Sequence, residues 1–161
     1  MTARTEDDTA VRRSIEVTAP AERAFAVFTE GLDGWWPRSH HLLPGKLARV
    51  GVDPYEGGRV WEQDDAGEVC VWGRVLTWDP PRTFAFSWQI GPGWAVPAPD
   101  APASRVTVRF TPTDGGTRVD LVHDRLEAHG PGWEQVREGV RGDGGWRALL
   151  QLFAEATVDD G

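Results

Sequence analysis

The feature that most limits the fold is a pair of alternating stretches joined by a glycine turn. Val106, Val108 and Phe110 alternate with Thr107, Arg109 and Thr111. After Asp114-Gly115-Gly116 the chain resumes with Val119, Leu121 and His123 against Arg118, Asp120 and Val122. A period of two in both arms predicts an antiparallel hairpin with one apolar face. Arg109 and Asp120 share its outward phase and are expected to pair across the strands, a rim contact worth little. The apolar face needs a cover, and segments of helical period supply one.

Those segments lie towards the two ends. Ala21, Phe25, Phe28 and Leu32 recur at helical spacing after Pro20, which suits the first turn, with Thr18 or Ala19 as its cap. Gly31 and Gly34 break this helix, and Trp35-Trp36-Pro37 opens a loop. Near the C-terminus Trp133, Val136 and Val140 predict a short helix. Gly142-Asp143-Gly144-Gly145 follows, and then Trp146, Leu149, Leu150, Phe153 and Thr157 predict a last amphipathic helix. Between the ends further strands are expected over residues 11–17, 47–52, 59–63, 69–78 and 83–90, with Gly73 as a bulge. Phe84, Phe86 and Trp88 share one face of their strand. Residues 91–103, rich in Gly, Pro and Ala, form a long loop around Trp94. Helices towards the ends and strands between them predict an α+β fold on an antiparallel sheet.

The 161 residues suit one domain over 11–158, after a polar, disordered lead-in at 1–10. A net charge of -8 repels phosphate backbones and anionic lipid, so neither nucleic acid nor a membrane surface is an expected partner. The N-terminus lacks the apolar core of a signal peptide, and no run of about 18 apolar residues could span a bilayer. The single cysteine, Cys70, excludes an internal disulfide and points to the cytoplasm. Composition leaves the oligomeric state open, a homodimer included. Nine tryptophans beside six phenylalanines provide more aromatic surface than most cores of this size need.

Five segments together resemble a known family: Thr18–Glu30 (TAPAERAFAVFTE), Gly57-Gly58-Arg59, Trp72–Trp88 (WGRVLTWDPPRTFAFSW), Ser104–Val122 (SRVTVRFTPTDGGTRVDLV) and Gly144–Ala154 (GGWRALLQLFA). They are similar to the activator of heat-shock-protein-90 ATPase homologue-like domains of the START/Bet v 1-like (SRPBCC) superfamily. The resemblance covers about residues 11–157. It implies a helix-grip fold, a curved antiparallel sheet of six to seven strands around a long C-terminal helix. It also implies a cavity between sheet and helix in which members bind hydrophobic small molecules. The namesake co-chaperones carry a separate N-terminal domain that this chain is expected to lack.

On that frame the expected cavity wall comprises Phe28, Trp36, Trp61, Val75, Phe84, Phe86, Trp88, His123, Trp146, Leu150 and Phe153. For each apolar member, core packing is the first reading, and in such a fold the two merge, because the wall is the core face. His123 falls on the inward phase, where it would orient a ligand, carry a proton, or bond to a neighbouring core group. His40 and His41 are adjacent and point opposite ways on an extended segment, so no metal site is expected from them. Cys70 has no evident base and reads as an inert thiol. The glycines at 142–145 follow a helix and lack the Lys-Ser/Thr ending of a phosphate loop.

The leading expectation is therefore a binding protein for a small apolar or aromatic molecule, without a cofactor and not an enzyme. One alternative is a START-like cyclase or hydrolase using His123 as acid or base. The other is a module that binds a chaperone and stimulates its ATPase.

Overall fold

The structure is a computed structural model and describes residues 9–40, 42–94, 96 and 102–158. Seven strands form one antiparallel sheet: β1 (Val11–Val17), β2 (Leu47–Val52), β3 (Arg59–Asp64), β4 (Val69–Asp79), β5 (Thr83–Trp88), β6 (Ser104–Thr113) and β7 (Gly116–Asp124). Strands β2 to β7 run as a meander, and β1 closes the far edge beside β7. Helix α1 (Ala21–Phe28) and a 3-10 turn at Leu32–Gly34 carry the chain from one edge of the sheet to the other. Helices α2 (Trp133–Arg141) and α3 (Trp146–Val158) end the chain. The curled sheet gripping a C-terminal helix is the α+β helix-grip fold.

The hairpin has the expected register. Val106 faces His123, Val108 faces Leu121 and Phe110 faces Val119, all buried. Arg109 does lie opposite Asp120, but the Asp120 carboxylate accepts from Ser14 Oγ at 2.8 Å and Arg118 Nε at 3.1 Å instead. Addition of β1 beside β7 brings Ser14 within reach, which the hairpin alone does not reveal.

Pro20 is the cap of α1, not its first helical residue, and no side chain caps that end. The helix lays Ala21, Ala24, Phe25 and Phe28 on the sheet. Phe25 contacts Phe110 and Trp78, and Phe28 contacts Phe153 of α3, with ring centroids 5.1–5.2 Å apart. Arg23 Nε donates to the Thr157 carbonyl at 3.0 Å, fixing α1 against the end of α3. One half of the concave face is thus filled by aromatic packing with no ligand-sized space.

The sheet bends at β4. The β3–β4 register slips between Val60 and Trp61, opposite Gly73, and the β4–β5 register slips between Val75 and Thr77. Any side chain at Gly73 would run into the carbonyl oxygen of Ser87 on β5. The close approach of two backbones requires glycine here. Gly73→Ala is expected to destabilise the domain by about 1–3 kcal/mol, the usual cost of overpacking. Urea denaturation of the two proteins measures the difference, and a loss below about 0.5 kcal/mol would contradict this account of the bend.

Candidate functional site

The other half of the concave face is not filled. Between β3–β5, the loop after the 3-10 turn, and helices α2 and α3 lies a cavity of about 480 Å³. Trp36, Trp72, Trp88, Trp94 and Trp146 line it, five of the nine tryptophans. Leu42, Ile90, Val140 and Leu149 complete the apolar wall, while Ser39 and His40 stand at the rim. Gly139, Gly144 and Gly145 leave the α2–α3 side without side chains. The volume lies within the ~300–1,000 Å³ common for small-molecule sites.

Local geometry explains how each ring arrives. After α1 stops, the 3-10 turn sends Trp35 and Trp36 to different neighbours. Trp35 packs on Phe28 and Phe153 and donates from Nε1 to the Val27 carbonyl at 2.9 Å. Trp36 stacks on Trp72 with centroids 5.5 Å apart and donates to the His40 carbonyl at 3.1 Å. Asp33 ties the turn to β2 by accepting from Val50 N–H at 3.0 Å. Desolvation raises the Asp33 pKa, but bonds from Arg38 and Val50 outweigh it, so its carboxyl sits below the ordinary range. Trp94 is 44 % exposed and adopts a left-handed backbone at φ 57°. Its ring lies against α2 at Gly139, where a Cβ would collide with it, and Gly93 N–H donates to Gln135 Oε1 at 2.8 Å.

Among the described lining residues only His40 and Glu62 are ionisable. Glu62 is 3 % exposed and points inward from β3 between Val60 and Asp64. Its carboxylate accepts from Leu42 N–H at 2.8 Å and Leu43 N–H at 2.9 Å, clipping that loop to the sheet. Burial pushes the Cys70 thiol upward, and the charge of Glu62, its cross-strand neighbour, pushes it further. Cys70 is inert in such surroundings.

Behind the cavity runs a polar chain. Trp146 Nε1 donates to His123 Nδ1 at 3.1 Å, and His123 Nε2 lies 2.7 Å from Ser104 Oγ. Ser104 Oγ also lies 2.8 Å from His129 Nε2. An indole N–H can only donate, so Nδ1 of His123 accepts and its proton sits on Nε2. Ser104 then accepts from His123, and its own proton is within reach of the Trp88 carbonyl at 3.4 Å and of His129 Nε2. Burial, and secondarily the charge of His129, pushes the His123 pKa down to about 3. Burial also lowers that of His129.

The family model described as "Activator of Hsp90 ATPase homolog 1-like protein" matches residues 18–157. The chain belongs to this family. No curated protein matches it. Among solved structures, a protein described as an anthrahydroquino-γ-pyrone synthase, Txn09, is 40% identical over 91% of this chain and 95% of its own, with a TM-score of 0.63. CalC from Micromonospora echinospora, described as a self-sacrificing resistance protein, is 31% identical over 94% of this chain and 96% of its own, at 0.66. Protein NE0264 from Nitrosomonas europaea, 17% identical over 99% of this chain and 100% of its own at 0.69, shares the fold.

In this member of the Hsp90-activator-homologue family the expected wall is divided. Trp36, Trp88 and Trp146 line the cavity. Phe28, Phe84 and Phe86, again with Trp36 and Trp146, surround a void of only about 10 Å³ beside it. Val75, Leu150 and Phe153 are buried in the core away from the cavity lining. Phe84 meets Phe25 and Phe28 rather than α3, because α1 wedges between them. Trp61 is misassigned. Val60, Glu62 and Asp64 take the inward phase of β3, leaving Trp61 on the opposite face under the Arg49 guanidinium. His123 is wholly buried behind Trp88 and Trp146, with both ring nitrogens bonded, and does not line the cavity. His41 and most of residues 95–101 lie outside the described residues. Sequence reading missed Trp72, Glu62 and Leu42.

His123 gives a pH dependence whose sign is fixed. The unfolded chain takes up a proton near pH 6.5, whereas the folded chain resists until about 3. Between those values the unfolded state binds more protons, so stability falls as pH falls. From pH 7 to pH 5 the His123 contribution amounts to about 2 kcal/mol. Chemical denaturation at both pH values should show this loss, reduced in His123→Gln. An equal loss in the variant would contradict the assignment.

Proposed function

We propose that this protein binds a flat, polycyclic aromatic molecule in the tryptophan-lined cavity. The observation that carries the reading is the convergence of five indoles on a space that no side chain fills. Trp36 and Trp72 already stack nearly parallel, with an interplanar angle of 29°, and offer a surface for another ring. Aromatic stacking of this kind is worth about 1–3 kcal/mol per ring. The likeness to Txn09, a synthase named for a fused-ring aromatic product, supports the same ligand class. The single cysteine suits a reducing compartment, and on this reading the protein works in the cytoplasm.

A second reading is favoured by that 40% identity: the cavity assists a ring closure on such a molecule. Its acid–base groups would be Glu62 and His40, the ionisable residues on the wall. His123 is not among them, since both its nitrogens are occupied behind the wall. Both readings require binding first.

Titration of the protein with anthraquinone, followed by tryptophan fluorescence, is expected to give saturable one-to-one quenching. Trp94→Ala removes a half-exposed ring at the mouth and should weaken binding about tenfold, as loss of one stacking surface predicts. Absence of quenching by any tricyclic aromatic would overturn the proposal. Under the second reading, a hydroxylated anthraquinone precursor would change its absorption spectrum on incubation, and Glu62→Gln would abolish the change.

A further inference from the structure

Glu62 has a property that core packing does not require. It is buried to 97 % and, among the described residues, its partners are backbone amides with no cationic side chain. Asp33 and Asp53 pair with Arg38 and Arg59, whereas Asp64 is likewise buried on the amides of its own turn but does not line the cavity. A buried carboxylate lacking a counter-charge is costly, and here it is offset only by the two loop amides that donate to its oxygens. Glu62 lines the cavity, and its charge, after desolvation, raises the pKa of Cys70 on the neighbouring strand.

Two further facts concern the sign of what would sit there. Trp36, Trp72 and Trp88 line the same wall, and indole rings attract cations more strongly than any other aromatic side chain. The whole chain carries a net charge of -8, which draws cations towards an open cleft and disfavours anions.

We infer that the molecule bound in this cavity carries a protonated amine on its aromatic frame, and that Glu62 is the residue that selects it. The inference rests on the aromatic-binding reading and specifies its polarity. The ammonium donates to the Glu62 carboxylate over the indole faces, while the fused rings stack on Trp36 and Trp72. A neutral hydroxyl in the same place donates one weaker hydrogen bond, and a methyl group none.

Three probes of one shape test this: 9-(aminomethyl)anthracene, 9-(hydroxymethyl)anthracene and 9-methylanthracene, each titrated into wild-type protein at pH 7 and into Glu62→Gln. Wild type is expected to prefer the ammonium over the alcohol by about tenfold or more, as for a charge-assisted bond in a desolvated site. Glu62→Gln should erase that preference, leaving the ammonium and the alcohol with equal affinity. Raising salt should weaken only the ammonium probe. Equal affinity of all three for wild type would overturn the role of Glu62 and leave aromatic binding standing. So would equal weakening of all three by Glu62→Gln, since that marks Glu62 as a loop clip alone. If none of the three binds wild type, the aromatic-binding reading itself fails. The wild-type ranking decides even where the variant does not fold.

Discussion

The seat of Trp146 is the contact on which the rest of the structure depends. Its indole joins the first turn of α3 to β7 through the bond to His123 Nδ1. It also packs edge-on against Trp88 of β5 at 5.5 Å and forms part of the cavity wall. The bond fixes the His123 tautomer, and the tautomer makes Ser104 the acceptor beyond it. The buried histidine is thus a positioning residue for the wall. It holds the helix at a set height above the sheet.

From that height follows the division of the concave face. Where α1 lies on the sheet, phenylalanines interlock and almost no volume remains. Where α1 is absent, the gap between sheet and α3 is walled chiefly by tryptophans, with the glycines at 139, 144 and 145 on the α2–α3 side. A dry space of about 480 Å³ would cost about 12 kcal/mol at ~24 cal/mol per Å³, as much as the whole stability of a typical domain. The exposed rim at Ser39, His40 and Trp94 admits water or a ligand and relieves that cost. Tryptophan suits such a wall, because each ring is large enough to complete the core and still present a face to an occupant.

The elements were largely legible in the sequence because period-two and period-3.6 patterns report burial directly. The hairpin at 106–123 and the amphipathic helix at 146–158 are the clearest cases. The site was legible only in part. Trp88 and Trp146 could be assigned to the wall from their phase on regular elements. Trp61 could not, since a strand of six residues with a bulge opposite it offers two faces, and a tryptophan suggests the buried one. Here a cation–π contact with Arg49 and a bond to Asp53 keep it on the outer face. Glu62 was passed over for the complementary reason: a charged residue in a strand reads as exposed. Its burial depends on the amides of Leu42 and Leu43, twenty residues away in a loop without periodicity. His123 was rightly placed inward, but its partners come from Ser104, His129 and Trp146, which only the tertiary fold unites.

The central claim is that the tryptophan-walled half of the helix grip is a site for a flat aromatic molecule and not loose core. A crystal structure of the protein soaked with anthraquinone tests this most directly. The account predicts planar density in the cavity, stacked on Trp36 and Trp72, with Trp146 still bonded to His123. Density confined to the outer surface, or tryptophans collapsed into a closed core with no room for a ring, would contradict it.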